Sequence, residues 1–297
     1  MALKLLLPSN SPEKPIGLEV WMERVLELAD RVKGDWDADA VHDLRVAIRR
    51  CRTMADALEE VNPRPGWRKL KRASRKLFDV LGELRDTQVE RAWLKDLGLP
   101  SDAVRRHLMH VLAYRGRTQR EKAGRALERL DRGDWSKLAR KVQCEARFFP
   151  LESVVFQRLA LARLNDVVEL YNRARRGRSR IAWHRLRIGL KHFRYVVENF
   201  LPQRYEVWAN DLKRTQDLLG EVHDLDVLRT EILRNSRQIT ADVVAPWLEK
   251  IETERKKRLD EFRSKTAGNG SLWLTWRAGF KWGHALKVAP TVGHRIA

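Results

Sequence analysis

Residues 42–58 read HDLRVAIRRCRTMADAL, and residues 184–200 read HRLRIGLKHFRYVVENF. With His42 set against His184, basic or imidazole side chains fall at matching positions of both stretches. They are His42, Arg45, Arg49 and Arg52 in the first, and His184, Arg187, Lys191 and Arg194 in the second. The apolar positions match as well: Leu44, Ile48, Cys51, Ala55 and Leu58 against Leu186, Leu190, Phe193, Val197 and Phe200. A helix turns about 100° per residue, so the four basic positions share an arc of about 80°. That arc is centred about 120° from the apolar stripe. Each copy therefore reads as a helix with one face for a core and a separate cationic seam beside it.

A second match supports an internal repeat. LGELRDTQV at 81–89 pairs with LGEVHDLDV at 219–227. Working outward, helical periodicity is expected over 16–32, 40–60, 67–94 and 102–130, with a shorter piece over 135–149 closed by Pro150. It begins again over 152–172, 182–201, 205–234 and 244–265, and no period-two strand pattern is evident. The expected fold is all-α: two pseudo-symmetric antiparallel four-helix bundles. The expected divisions are a mobile lead-in over 1–15, a first repeat over 16–150, a second over 151–266, and an aromatic and basic extension over 267–297. The extension carries Trp273, Trp276, Phe280 and Trp282, which suit either packing onto the bundle or stacking against a base or membrane surface.

The chain has 297 residues and a formal net charge of +20, with 43% hydrophobic residues and eleven Trp. A folded protein holding that much like charge is expected to meet a polyanion: nucleic acid, anionic lipid or inorganic polyphosphate. Two cysteines give no disulfide framework, and no signal peptide or membrane span is expected, so a cytoplasmic setting is the default.

A single basic seam on a helix is ordinary solvated surface. This one recurs at identical spacing, has no acid within its own four positions, and sits beside the core stripe. It is therefore read as a binding surface. The following helix extends it with Arg68, Lys71, Arg72 and Arg75, and in the second repeat Lys213 takes the place of Arg75 while Asn210 replaces Arg72. Arginine forks grip paired oxygens, and Lys and protonated His act as point donors, so two facing seams suit a linear anion charged at every unit. Bound phosphate is expected to favour protonated His42 and His184. Asp86 and Asp224 read as helix-end or inter-helix hydrogen bonders, and no metal-ligand spacing is present. Glu252-Thr253-Glu254-Arg255-Lys256 spells the E-x-E-x-K of triphosphate tunnel metalloenzymes, but it lies in a charged helical run where residues two apart diverge.

HDLRVAIRRCR and HRLRIGLKHFRY, each followed by LGE-x-x-D, resemble the CHAD domain, a helical domain named for its histidines. The resemblance implies two four-helix bundles around a basic surface that binds inorganic polyphosphate, without catalysis and without a cofactor or metal. It implies phosphate contacts from His42, Arg45, Arg49, Arg52, His184, Arg187, Lys191 and Arg194, and from Arg75 and Lys213 ahead of a Leu-Gly turn. Lys71 and Arg72 are added from helix geometry. Gln88 departs from the repeat, standing where the second copy has Asp226. A place on polyphosphate granules and weak non-specific nucleic-acid binding follow as expectations. The competing functions are a nucleic-acid binder, which lacks a recognised motif, and a polyphosphate or nucleotide hydrolase, for which no carboxylate cluster is evident near the seam.

Overall fold

The computed structural model describes residues 17–177, 179–235 and 241–280. The lead-in, and the extension from Lys281 on with Trp282, lie outside the described residues. Among the described residues ten α-helices follow one another: α1 (Leu18–Gly34), α2 (Ala38–Val61), α3 (Pro65–Leu97), α4 (Ala103–Glu128), α5 (Arg132–Ala146), α6 (Val154–Arg176), α7 (Arg180–Phe200), α8 (Pro202–Asn235), α9 (Ala241–Thr266) and α10 (Leu272–Ala278). No strand occurs among the described residues.

Local chemistry sets the helix starts. The Asp37 carboxylate accepts from the amides of Asp39 and Ala40 at 2.6 Å, capping α2. Asp102 and Asp131 cap α4 and α5 in the same way. Pro65 opens α3, where its missing amide costs no helical bond.

The two halves repeat one order of packing. In the first, α1 lies on α2 and α5, α2 on α3, and α3 on α4; in the second, α6 lies on α7 and α10, α7 on α8, and α8 on α9. The four long helices of each half are thus joined by a short fifth, α5 or α10. The halves meet where α2 crosses α7 and α3 meets α8. At the first crossing Arg50 of α2 pairs with Glu198 of α7, and reciprocally Asp56 of α2 lies within electrostatic reach of His192 of α7.

One apolar core runs through both halves, from Met22, Ile48 and Trp67 to Phe156, Phe193 and Phe262. The described part of the aromatic extension belongs to it: Trp273, Trp276 and Phe280 are buried, with Trp276 against Phe193 at 5.4 Å between ring centres. A second cluster, including Leu94, Leu108, Leu225, Ile232 and Trp247, ties the α3–α4 hairpin to the α8–α9 hairpin. The expected Leu-Gly turn is absent. Both Leu81-Gly82 and Leu219-Gly220 lie inside unbroken helices. At Gly82 a Cβ would stand 3.3 Å from a terminal nitrogen of Arg45, so the glycine lets that guanidinium lie close to α3.

Candidate anion-binding groove

The seams of α2 and α7 face a common space walled by α3 and α8. Arg45 and Arg49 from one half share it with Arg187 and Lys191 from the other, each within electrostatic reach of a partner across the crossing. Desolvation, and then mutual repulsion, holds the Arg45, Arg49 and Arg187 guanidiniums below the ordinary arginine range. Lys191 responds most visibly. Desolvation, joined by Arg187, Arg49 and Arg45, pushes its ammonium down to about 7.

The histidines flank this centre. Nδ1 of His184 lies 3.2 Å from Nδ1 of His223 on α8. In the first half Arg85 occupies the place of His223 and acts on His42. Desolvation and these cations push His42 down to about 4 and His223 to about 3, and lower His184 as well. The imidazoles are therefore biased toward the neutral form, and protonation by a bound anion works against this bias.

Two carboxylates share the groove. Asp86 of α3 and Asp224 of α8 lie within electrostatic reach of each other and of Arg85, Arg187 and Lys191. Burial pushes Asp224 up to about 6 against the pull of Arg187. The expected hydrogen-bonding role is not seen: neither carboxylate makes a hydrogen bond among the described residues, and both sit mid-helix and in the seam rather than at helix ends.

The outer positions are more committed than their spacing suggests. Arg52 donates to the Lys71 carbonyl at 2.6 Å and to Ser74 Oγ at 3.1 Å, and its guanidinium stacks on Phe78. Lys71 is paired with Asp56 and Glu59, at 2.6 and 3.1 Å. Arg194 pairs with Glu198, Arg75 with Asp79 and Lys213 with Asp217. These acids come from one turn along the same helix or from α2, outside the four seam positions. Arg52, Arg68, Lys71, Arg72 and Arg75 line one open cleft, with Arg72 exposed.

Donors at the centre have no acceptor among the described residues. The Nε atoms of Arg45, Arg49 and Arg187, and the hydroxyl of Tyr195, are all buried without a hydrogen-bond partner there, whereas the Arg194 Nε faces Glu198 at 3.4 Å. Tyr195 lies under the Arg49 guanidinium at 5.3 Å, and its oxygen is within electrostatic reach of Arg45 and Arg187. Sequence reasoning missed Tyr195, Arg85 and His223 as members of the site. Tyr195 gives no repeat signal because Thr53 stands at its counterpart. For Asp86 and Asp224 the signal was available: their recurrence within the second repeated string.

A family model described as "CHAD domain" matches residues 20–233. Among solved structures, the crystal structure of the CHAD domain from the plant Ricinus communis is similar, with a TM-score of 0.59 and 22% sequence identity. That likeness covers 92% of this chain and 91% of the other. At this identity it bears on the fold alone. No curated protein matches the chain.

Proposed function

The chain belongs to the CHAD domain family, and from that premise we propose that its groove is a non-catalytic binding site for inorganic polyphosphate. The observation that carries the reading is the set of four buried donors, from both halves and within electrostatic reach of one another, that have no acceptor among the described residues. An unmet buried donor costs about 1–3 kcal/mol, more when charged. Phosphate oxygens meet the need, and an unbranched polyphosphate presents them at every unit. Arg45, Arg49, Arg187, Lys191 and the Tyr195 hydroxyl then form the centre of the site, with His42 and His184 beside it. Arg72, Arg75 and Lys213 continue it outward, and Arg52, Lys71 and Arg194 brace its walls as well as adding charge. In this reading Asp86 and Asp224 keep the like-charged side chains together while the groove is empty. A protein holding long chains in this way collects on polyphosphate granules.

The test is calorimetric titration with long-chain polyphosphate, beside duplex DNA at equal phosphate concentration and about 150 mM salt, where non-specific attraction is much reduced. Saturable binding of polyphosphate, and weak binding of DNA, is expected. Charge reversal of Arg49→Glu together with Lys191→Glu should weaken polyphosphate binding by on the order of 100-fold or more while leaving helicity intact. Unchanged affinity in that variant overturns the reading, and stronger binding of duplex DNA favours a nucleic-acid partner.

A further inference from the structure

The long hairpins of the two halves repeat at a constant offset: α4 spans Ala103–Glu128 and α9 spans Ala241–Thr266. In that register Arg91, Arg117 and Arg120 stand where Arg229, Arg255 and Arg258 stand in the second half. The surroundings of the two sets differ in charge. In the second half Asp226 accepts from Arg180 and from Arg255, the latter at 2.9 Å. Glu252 is 3.6 Å from Arg255, while Arg258 is held by Glu254 and, at 2.8 Å, by Glu221.

The first half has lost three of these four acids. Gln88 replaces Asp226, Tyr114 replaces Glu252 and Gly116 replaces Glu254. Glu83 remains at the place of Glu221, but it forms no ion pair with Arg120 among the described residues. What results between α3 and α4 is a small cleft of about 140 Å³ bordered by Gln88, Arg91, Gly116, Arg117 and Arg120. Arg91 and Arg120 have no hydrogen-bond or ion-pair partner among the described residues, and Arg117 only faces the ring of Tyr114, at 6.0 Å. The Arg91 Nε is buried and unmet.

We propose that the cleft between α3 and α4 is a second anion site, separate from the groove, that takes a compact phosphate group of the size of pyrophosphate. Three guanidiniums from two helices supply forked donors, which suits phosphate oxygens better than a single point charge would. The volume of about 140 Å³ suits a compact anion. Gly116 leaves the floor open where Glu254 closes the second half. The site does not depend on what the groove binds.

The test uses the full chain carrying Arg49→Glu and Lys191→Glu, so that the groove is disabled, titrated with inorganic pyrophosphate. One equivalent should bind. Adding Arg117→Gln and Arg120→Gln, both at exposed positions, should weaken that binding at least tenfold. A second variant keeps every arginine and restores the acids of the other half, Gln88→Asp with Tyr114→Glu; it should weaken binding to the same degree. Circular dichroism and the melting temperature check the fold of each. No pyrophosphate binding in the groove-disabled protein, or undiminished binding in both cleft variants, overturns the proposal.

Discussion

Arg49 and Lys191 occupy equivalent places in the two seams, yet only one of them can lose its charge near neutrality. Arginine stays protonated in proteins, whereas the crowding of Lys191 brings it to about 7. Above that value the empty groove holds Lys191 neutral, and a bound polyanion restores its proton. Binding is therefore coupled to proton uptake, and affinity falls as pH rises from 7 toward 9, by at most tenfold per unit for one proton. Lys191→Arg should flatten this dependence and leave affinity at pH 6 nearly unchanged. Titrations at pH 6, 7.5 and 9 for both proteins check it, and proton uptake is read from the buffer dependence of the heat. At this scale the sequence was informative about type and poor about state. Spacing identified the cations, and the acids one turn from Arg75, Arg194 and Lys213 were there to be read, but Asp56 and Glu59 reaching Lys71 across α2 and α3 were not.

Between elements, the α3–α4 and α8–α9 hairpins are pinned by a small ionic cluster. Arg115 of α4 bridges Glu90 of α3 at 3.5 Å and Glu231 of α8 at 2.5 Å, and Asn235 adds a hydrogen bond to Glu231 at 3.0 Å. Both carboxylates are buried, and burial together with Glu231 pushes Glu90 up to about 7. Arg115→Met leaves the two acids facing each other. It should destabilise the fold by about 2–3 kcal/mol at pH 8, a value set below the usual range because Arg115 is partly exposed. The loss should shrink at pH 5. Below its raised pKa Glu90 is protonated in the folded chain, so the repulsion that Arg115 was countering disappears. Urea unfolding at the two pH values measures the difference. The helices themselves were legible: the apolar period and the Pro63 and Pro202 breaks placed nearly every boundary within a few residues. The Leu-Gly dipeptides misled: Gly82 lies beside Arg45 and Gly220 has no neighbour within 4 Å of where a Cβ would stand, and neither marks a turn. The pairing of Glu90 with Glu231 was not legible, since Leu228 stands at the repeat counterpart of Glu90 and no pattern marks it.

For the molecule as a whole, the doubled motif disclosed the repeat but not how the copies meet. That depends on α2 crossing α7 and α3 meeting α8, contacts between residues more than a hundred positions apart. A core shared by both halves makes them one folding unit, while charge has diverged freely on their surfaces. If the groove binds polyphosphate as proposed, then once a chain outgrows it each added unit offers another way of seating it. Apparent affinity per chain should then rise with the number of placements, about 0.4 kcal/mol per doubling. Titration with size-fractionated chains measures this slope; affinity that stops rising at a fixed length would mean that chain ends are gripped.

The reciprocal meeting of the two halves has one more consequence. A phosphate polymer has no direction: read from either end, it is the same molecule. A groove whose halves answer each other presents nearly the same face to both readings, so the ligand has no wrong way round. Pairs that differ between the halves, such as Arg49 with Lys191, Arg85 with His223, Thr53 with Tyr195 and Arg72 with Asn210, give the track what polarity it has.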